Sequence, residues 1–417
     1  MAEVEVTVAL ILAAGAVALY LAWNIGANDV ANAMGTSVAS GALTLRNAVI
    51  VAAVLNFLGA VFVGSKVSNA HRVDIIHPDT FQSDPYLLVL GMFAALISAA
   101  IFITIATWFG MPISTTHAIV GAIAGFGIAA FGTSAVNTAG LTKIMASWAI
   151  SPIAGAAIAF IVFWMIKKYI FDTKDPVKST LIFAPPMMGF VFFVMTLSMI
   201  YKGLKNLHLD LPVFMALAMG AVVGTIAGFI SYFLIKRYME RSSDIADPHR
   251  RVEKVFLIAQ VVSAMFVAFA HGANDVGNAI GPMATILNVA ETGTVETDMT
   301  IPLWLLILGG IGIMIGTATW GVKVMETIGK KITEITATRG FAAEFGAALT
   351  VLFCSKLGLP ISTTHVLVGS VIGVGLAGGL QGVDVRVIGK IFASWIITLP
   401  LAAGLCAVLF WLFVAIF

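Results

Sequence analysis

The sequence predicts an all-α polytopic membrane protein of about twelve transmembrane helices, built as two inverted repeats with broken helices or re-entrant hairpins. Three observations predict it. Of 417 residues, 60% are hydrophobic and only 11% charged, where a soluble domain carries about 25% charged residues. Twelve apolar stretches approach the roughly 20 residues that a helix needs to cross a bilayer, near 4–23, 45–64, 86–108, 115–131, 143–166, 181–201, 211–235, 255–270, 303–320, 338–355, 361–380 and 390–417. Two polar strings also occur twice: Gly-Ala-Asn-Asp-Val at 26–30 and 272–276, and Pro-Ile-Ser-Thr-Thr-His at 112–117 and 360–365. The two offsets, 246 and 248 residues, are nearly equal, as a duplication requires. Lys143, Ser147, Trp148 and Pro152 are echoed by Lys390, Ser394, Trp395 and Pro400.

Each element follows from local residues. Glu3 and Glu5 precede the first apolar run; a secretory signal would start with cationic residues, so this run is a retained span. The apolar run and the polar string behind it reach from 4 to 40, too long for one straight crossing of about 30 Å at 1.5 Å per residue. A break is expected near Gly26, where Asn24, Gly26 and Asn28 weaken the helix, and another near Gly272. Stretches 86–108 and 115–131 flank the first Pro-Ile-Ser-Thr-Thr-His and form either two crossings or a re-entrant hairpin. Stretches 181–201 and 211–235 have no duplicate. The expected division is a first repeat at 1–166, a central connector with two spans and basic loops at 167–254, and a second repeat at 255–417.

Charge sets the orientation. Lys167, Lys168, Lys174 and Lys178 lie in one loop, and Lys236, Arg237, Arg241, Arg250, Arg251 and Lys254 in another; both are expected on the cytoplasmic side. Loop 290–302 carries Glu291, Glu296 and Asp298 without Lys or Arg, so it is expected outside, and loop 321–337, with Lys323, Lys330 and Lys331, returns inside. Five crossings in each repeat, separated by two, turn the second copy upside down and leave both termini external. Short loops and the lack of a large soluble domain suit a prokaryotic cytoplasmic membrane. A net charge of +2 with no basic patch gives no sign of a nucleic-acid partner, and Cys354 and Cys406 have no ligand-like spacing.

The duplicated strings carry the chemistry, because polar groups are costly in hydrocarbon. Asn28 and Asn32 share one helix face, as do Asn274 and Asn278. Asp29 and Asp275 lie beside them with no Lys or Arg close in sequence, and carboxylate and amide oxygens suit a hard monovalent cation. Each Asp could instead cap a second half-helix. Gln260, on an apolar stretch, is a further candidate oxygen for the cation. After Pro112 and Pro360, Ser114, Thr115, Thr116, Ser362, Thr363 and Thr364 fall in the first turn of a helix. Free backbone N–H groups and hydroxyls there make a donor-rich cup for a tetrahedral oxyanion. With no arginine clamp, bound cations must balance the anion, so the two ligands should strengthen each other. His117 and His365 follow as donors, proton relays or packed side chains. His271 has no counterpart, Ile25 standing in its place, which argues against a ligand role. Glu344 and Lys356 form a pair or snorkelling ends, and Lys66 and Lys323 read as snorkelling helix ends.

On these paired strings, Gly-Ala-Asn-Asp-Val-x-Asn at 26–32 and 272–278 with two copies of Pro-Ile-Ser-Thr-Thr-His, the chain resembles the inorganic phosphate transporter (PiT) family. The resemblance covers both outer thirds and adds little for 167–254. It implies symport of inorganic phosphate with sodium or protons, a twelve-helix inverted-repeat fold and a midplane site. It also implies ligands among Asn28, Asp29, Asn32, Asn274, Asp275, Asn278 and the two Ser-Thr-Thr strings. The chain departs from the family form at Ala33-Met34 and at Gly281-Pro282, which are apolar or turn positions. Two ionised aspartates among amide oxygens favour sodium as coupling ion. Proton coupling, an anion channel of the same architecture and transport of another oxyanion such as sulfate are the alternatives. No covalent cofactor is expected, the string of an enzyme nucleophile with its base is missing, and a homodimer in the lipid bilayer is compatible with the sequence.

Overall fold

A computed structural model describes residues 8–64, 75–202, 211–242, 245–296, 301–356, 361–379 and 383–416. Glu3, Glu5, Lys66, Asp298, Pro360 and the side chain of Lys356 lie outside the described residues. The named elements are helical: α1 (Val8–Ala39), α2 (Leu45–Val63), α3 (Pro85–Trp108), α4 (Thr115–Phe131), α5 (Thr138–Ile166), α6 (Pro176–Lys202), α7 (Val213–Arg241), α8 (Pro248–Thr292), α9 (Leu303–Thr319), α10 (Val322–Glu326, extended by one π-turn), α11 (Ala337–Lys356), α12 (Thr363–Gly378) and α13 (Val385–Ile416). Over its described residues, each of the twelve apolar stretches of the sequence overlaps a helix. Among the described residues nine helices are long and apolar enough to cross a membrane, and α9 with α10 makes a tenth, bent by 66°. The protein is an all-α, multi-pass membrane protein. Helix α12, with 16 residues, is about 24 Å long and too short for a full crossing. Helix α11 carries Arg339 and Glu344 inside its apolar run.

The expected breaks at Gly26 and Gly272 do not occur. Helix α1 runs unbroken through 32 residues and α8 through 45. The glycines serve helix contact instead. A Cβ on Gly26 would run into the Ile313 carbonyl of α9, and one on Gly272 into the Asn56 carbonyl of α2. The contacts are reciprocal: Gly316 of α9 lies against the Trp23 carbonyl of α1, and Gly59 of α2 against the Phe269 carbonyl of α8. Small residues let backbones approach closely, which is how helices associate where lipid removes the hydrophobic drive. A glycine costs a helix only about 1 kcal/mol, and close packing offsets it. The sharp bend lies elsewhere, between α9 and α10.

The same reciprocity recurs further along. Gly121 of α4 abuts the Leu399 carbonyl of α13, and Gly369 of α12 abuts the Pro152 carbonyl of α5. The connector helices α6 and α7 meet at Gly189 and Gly224. Two apolar clusters form the core, and α1 and α8 pass from one to the other. Residues Leu10 to Ile25 of α1 belong to one cluster and Val30 to Met34 to the other; on α8 the exchange falls between Ala268 and Val276. Each helix changes cluster across its polar string, so the strings lie where the two clusters meet.

Candidate functional site

Continuity of α1 and α8 decides which side chains converge. In an unbroken helix, residues three and four apart share a face. Asn32 Nδ2 therefore reaches back to Asp29 Oδ1 at 2.9 Å, and Asn278 Nδ2 to Asp275 Oδ1 at 3.5 Å. Asn274 Nδ2 also donates to Asp275 Oδ1, at 2.9 Å. Helices α4 and α12 bring their first turns to the same place. Ser114 and Ser362 are the N-caps: their hydroxyl oxygens accept from the backbone N–H of His117 at 3.1 Å and of His365 at 3.3 Å. That pins both first turns and aims the threonines at the carboxylates. Thr115 Oγ1 donates to Asp29 Oδ2 at 2.9 Å, and Thr363 Oγ1 to Asp275 Oδ2 at 3.2 Å.

The asparagines then cross between copies. Asn32 Nδ2 donates to Thr364 Oγ1 at 2.8 Å, and Asn278 Nδ2 to Thr115 Oγ1 at 3.3 Å and Thr116 Oγ1 at 3.4 Å. Thr364 Oγ1 has Asp29 Oδ1 at 3.2 Å and the Ile113 carbonyl at 3.1 Å as acceptors. Asp29, Asp275, Asn32, Asn278, Thr115, Thr116 and Thr364 are all buried. Two acceptors stay unpartnered inside this knot, Asn32 Oδ1 and Asn278 Oδ1. Buried acceptors without a donor are costly, and two equivalent ones beside two carboxylates make an oxygen-rich lining fit for a hard cation.

His271 completes the centre. Its Nε2 lies 3.0 Å from Asp275 Oδ2 and 3.4 Å from Asp29 Oδ2, so one imidazole spans the carboxylates of both copies. The three potential ligand atoms lie within 4.8 Å of one another. Its Nδ1 contacts Asn56 Oδ1 at 2.8 Å. Asn56 Nδ2 in turn donates to Thr317 Oγ1 at 3.3 Å, which places the amide oxygen toward the histidine. Nδ1 is then the nitrogen that carries the hydrogen. Nε2 faces two acids, and only a proton or a cation makes that juxtaposition favourable.

The site thus combines a paired-carboxylate, amide-oxygen centre with two hydroxyl-lined helix N-termini. Residues 25–406 match the phosphate transporter family. The chain belongs to that family. A candidate phosphate permease of Thermococcus kodakarensis is 47% identical over 391 residues, covering 94% of each chain. The chloroplastic inorganic phosphate transporter 2-1 of Arabidopsis thaliana is 42% identical over 421 residues, covering 95% of this chain and 71% of that one. A solved structure described as the sodium-dependent phosphate transporter superposes with a TM-score of 0.90 at 41% identity, covering 98% of this chain and 100% of the other.

Within this phosphate transporter, two expected ligands fall elsewhere. Asn28 is fully used: its Nδ2 donates to Thr107 Oγ1 at 2.9 Å and to the Met111 carbonyl at 3.1 Å, and its Oδ1 accepts from the Ile113 N–H at 3.3 Å. It fastens α1 to the turn before α4. Gln260 does not join the carboxylates. It is 15 residues before Asp275, about 22 Å along one unbroken helix. It donates to Glu344 Oε1 at 3.3 Å and accepts from Ser40 at 2.6 Å. Glu344 also accepts from Thr36 at 2.5 Å, from Ser37 at 2.9 Å and from Ser263, a hydrogen-bonded knot joining α1, α8 and α11. Asp29 and Asp275 sit mid-helix and are not caps.

His117 and His365 pack rather than bind at the centre. Their rings lie 4.3 Å apart, each against a tryptophan, Trp148 at 3.4 Å and Trp395 at 3.6 Å. Sequence reasoning passed over Asn56 and set His271 aside. The signal for Asn56 is an amide deep in the run 48–63, which is otherwise apolar, and a polar group so placed in a membrane marks function by default.

Proposed function

We propose that this transporter imports inorganic phosphate by sodium symport through alternating access. The carrying observation is the pair of unpartnered amide oxygens, Asn32 Oδ1 and Asn278 Oδ1, beside Asp29 and Asp275. In this reading sodium ions are held by Asp29 with Asn32 and by Asp275 with Asn278. Asn274, held to Asp275 through its Nδ2, is the further oxygen of the second ion. Phosphate lies between the first turns of α4 and α12, taking donors from Thr115, Thr116, Thr363 and Thr364 and from the backbone N–H groups that helix geometry leaves free there. Ser114 and Ser362 shape those turns, and Asn28 braces the first.

Coupling follows from charge. Without cations, a phosphate anion would meet two carboxylates in a water-poor site; with sodium bound, those carboxylates are neutralised and the anion gains attraction. Each ligand then raises the affinity of the other by the same factor. The name of the similar solved structure, a sodium-dependent phosphate transporter, supports sodium. Residues 1–166 and 255–417 act as inverted repeats around connector 167–254 in a cytoplasmic membrane, with both termini outside. Reciprocal glycine contacts between α1–α9 and α2–α8 support the pairing of repeats. One observation favours a second reading: His271 between the two acids offers a proton position, which proton-coupled symport would use.

The test is uptake of labelled phosphate into proteoliposomes under an inward sodium gradient, a matched proton gradient and choline replacement. Accumulation above equilibrium with sodium alone is expected. Uptake driven only by protons replaces the sodium reading, and currents far above carrier turnover make the protein a channel. Asp275→Asn is expected to lower sodium affinity in a protein that still folds; unchanged sodium dependence removes Asp275 from the cation site.

A further inference from the structure

The connector helices α6 and α7 close a cavity of about 420 Å³ against α8 and α11. Its walls are apolar and open toward the lipid-facing surface, since Leu234 and Ile258 in that wall are each 62% exposed. Phe341 lies at the inner wall, and Arg237 and Arg241 also line the cavity. The two arginines are one turn apart on α7, so both guanidinium groups share a face. Among the described residues no carboxylate lies within ion-pairing distance of either. Glu240, on the same helix, makes no ion pair with either arginine among the described residues, Glu253 accepts from Thr338 and Asp247 caps α8.

We propose that this cavity is an anionic-phospholipid site, with one acyl chain between α7, α8 and α11 and the headgroup phosphate on Arg237 and Arg241. The cavity is continuous with the surface that meets hydrocarbon, so an acyl chain is the occupant within reach. Two guanidinium groups at one end select a phosphate, which they can grip bidentately. A zwitterionic headgroup would set its ammonium against the same positive charge. Basic pockets between transmembrane helices on the cytoplasmic side take anionic headgroups in this way, and the arginines belong to the basic segment 236–254.

The position links lipid to the hydrogen-bonded knot around Glu344. Phe341 packs edge-on to Phe256 at 5.5 Å and stacks on Phe345 at 5.8 Å. Glu344, on the same helix as Phe341, receives Gln260, the residue after the cavity-lining Ala259. A bound chain therefore supports the back of the knot that joins α1, α8 and α11.

The experiment uses the full chain in neutral detergent, with thermal unfolding and native mass spectrometry as readouts. Phosphatidylglycerol is expected to raise the unfolding temperature and to give bound adducts at concentrations at least tenfold below those needed with phosphatidylcholine. Arg237→Gln with Arg241→Gln should reduce that preference to the phosphatidylcholine level. Ser231→Phe, from a further lining position on α7, fills the chamber, keeps both arginines and should also lose the adduct. Equal binding of the two lipids, or full phosphatidylglycerol binding by the arginine double variant, overturns the proposal. Displacement by inorganic phosphate alone would mean a free-anion site, and unchanged binding in Ser231→Phe would mean a surface ion pair; either result also overturns it. Should the Gln pair fail to fold, Arg237→Lys with Arg241→Lys keeps the charge, and selectivity for phosphatidylglycerol must then fall only in part.

Discussion

Thr364→Val probes the site with the least disturbance of shape. The Thr364 hydroxyl accepts from Asn32 at 2.8 Å and has Asp29 and the Ile113 carbonyl as alternative acceptors for its single proton. Valine fills nearly the same volume, so no cavity forms, and Asn32 Nδ2 keeps Asp29 at 2.9 Å. What disappears is one hydroxyl that turns to phosphate when the anion arrives. A hydrogen bond to a charged group contributes about 1.5–3 kcal/mol, and each 1.4 kcal/mol is tenfold in affinity. The phosphate Kd should therefore rise roughly 10- to 100-fold. Calorimetric titration of phosphate into purified protein at saturating sodium measures it. Thr364→Ser, which restores the donor, should return within about threefold of the original by the same arithmetic. A valine variant whose Kd stays within about twofold would remove the α12 turn from the phosphate site and sink the argument.

Three further outcomes follow from the same geometry. Combining Thr116→Val with Thr364→Val should change phosphate affinity by other than the sum of the single effects, because both hydroxyls address one anion; strict additivity would separate the two turns into independent sites. Gly272→Ala should lower the unfolding temperature even though alanine is the better helix former by about 1 kcal/mol. The new Cβ would lie 2.6 Å from the Asn56 Cα, and overpacking of that kind costs about 1–3 kcal/mol or more; a raised unfolding temperature would show slack at the α2–α8 crossing. Glu344→Leu strands donors from Thr36, Ser37 and Gln260, while Ser263 keeps the Gln260 carbonyl, a loss of about 3 kcal/mol at roughly 1 kcal/mol each. Thermal unfolding unchanged from the parent protein would mean those groups have other partners.

The sequence made the spans and the duplicated strings legible for one reason: hydrocarbon penalises polar groups, so those that persist stand out against apolar runs. Asp29, Asn32, Asp275, Asn278 and the threonines could be named that way. What a string does not contain is the neighbouring helix. Gly26 and Gly272 look like breaks when only helix propensity is counted, and become contact points once Ile313 and Asn56 are placed against them. The same missing information misplaced Gln260, since only an unbroken α8 separates it from Asp275 by about 22 Å. It also diverted Asn28, whose partners Thr107, Met111 and Ile113 are about 80 residues away. His271 was discounted because the first copy has Ile25 at that place. A group that sits between two copies needs to be supplied only once, so asymmetry is no argument against it.

That last point bears on how the site can change state. Two kinds of bond meet at the centre. Thr115 to Asp29 and Thr363 to Asp275 each stay within one copy of the strings, whereas Asn32 to Thr364 and Asn278 to Thr116 cross between copies. Relative movement of the copies would strain the crossing bonds first, and they are unequal here, at 2.8 Å and 3.4 Å. Helices α1 and α8 change from one apolar cluster to the other across these same residues. The polar centre is therefore the seam at which the clusters can shift, and His271, touching both acids, is the one side chain that reports on their separation. In the proposed reading, sodium on each acid with its asparagine removes the repulsion between the two carboxylates, and a phosphate spanning the two helix N-termini bridges the same two copies. On this geometry cation and anion act on one coordinate, which is the condition for transport to be coupled rather than merely simultaneous.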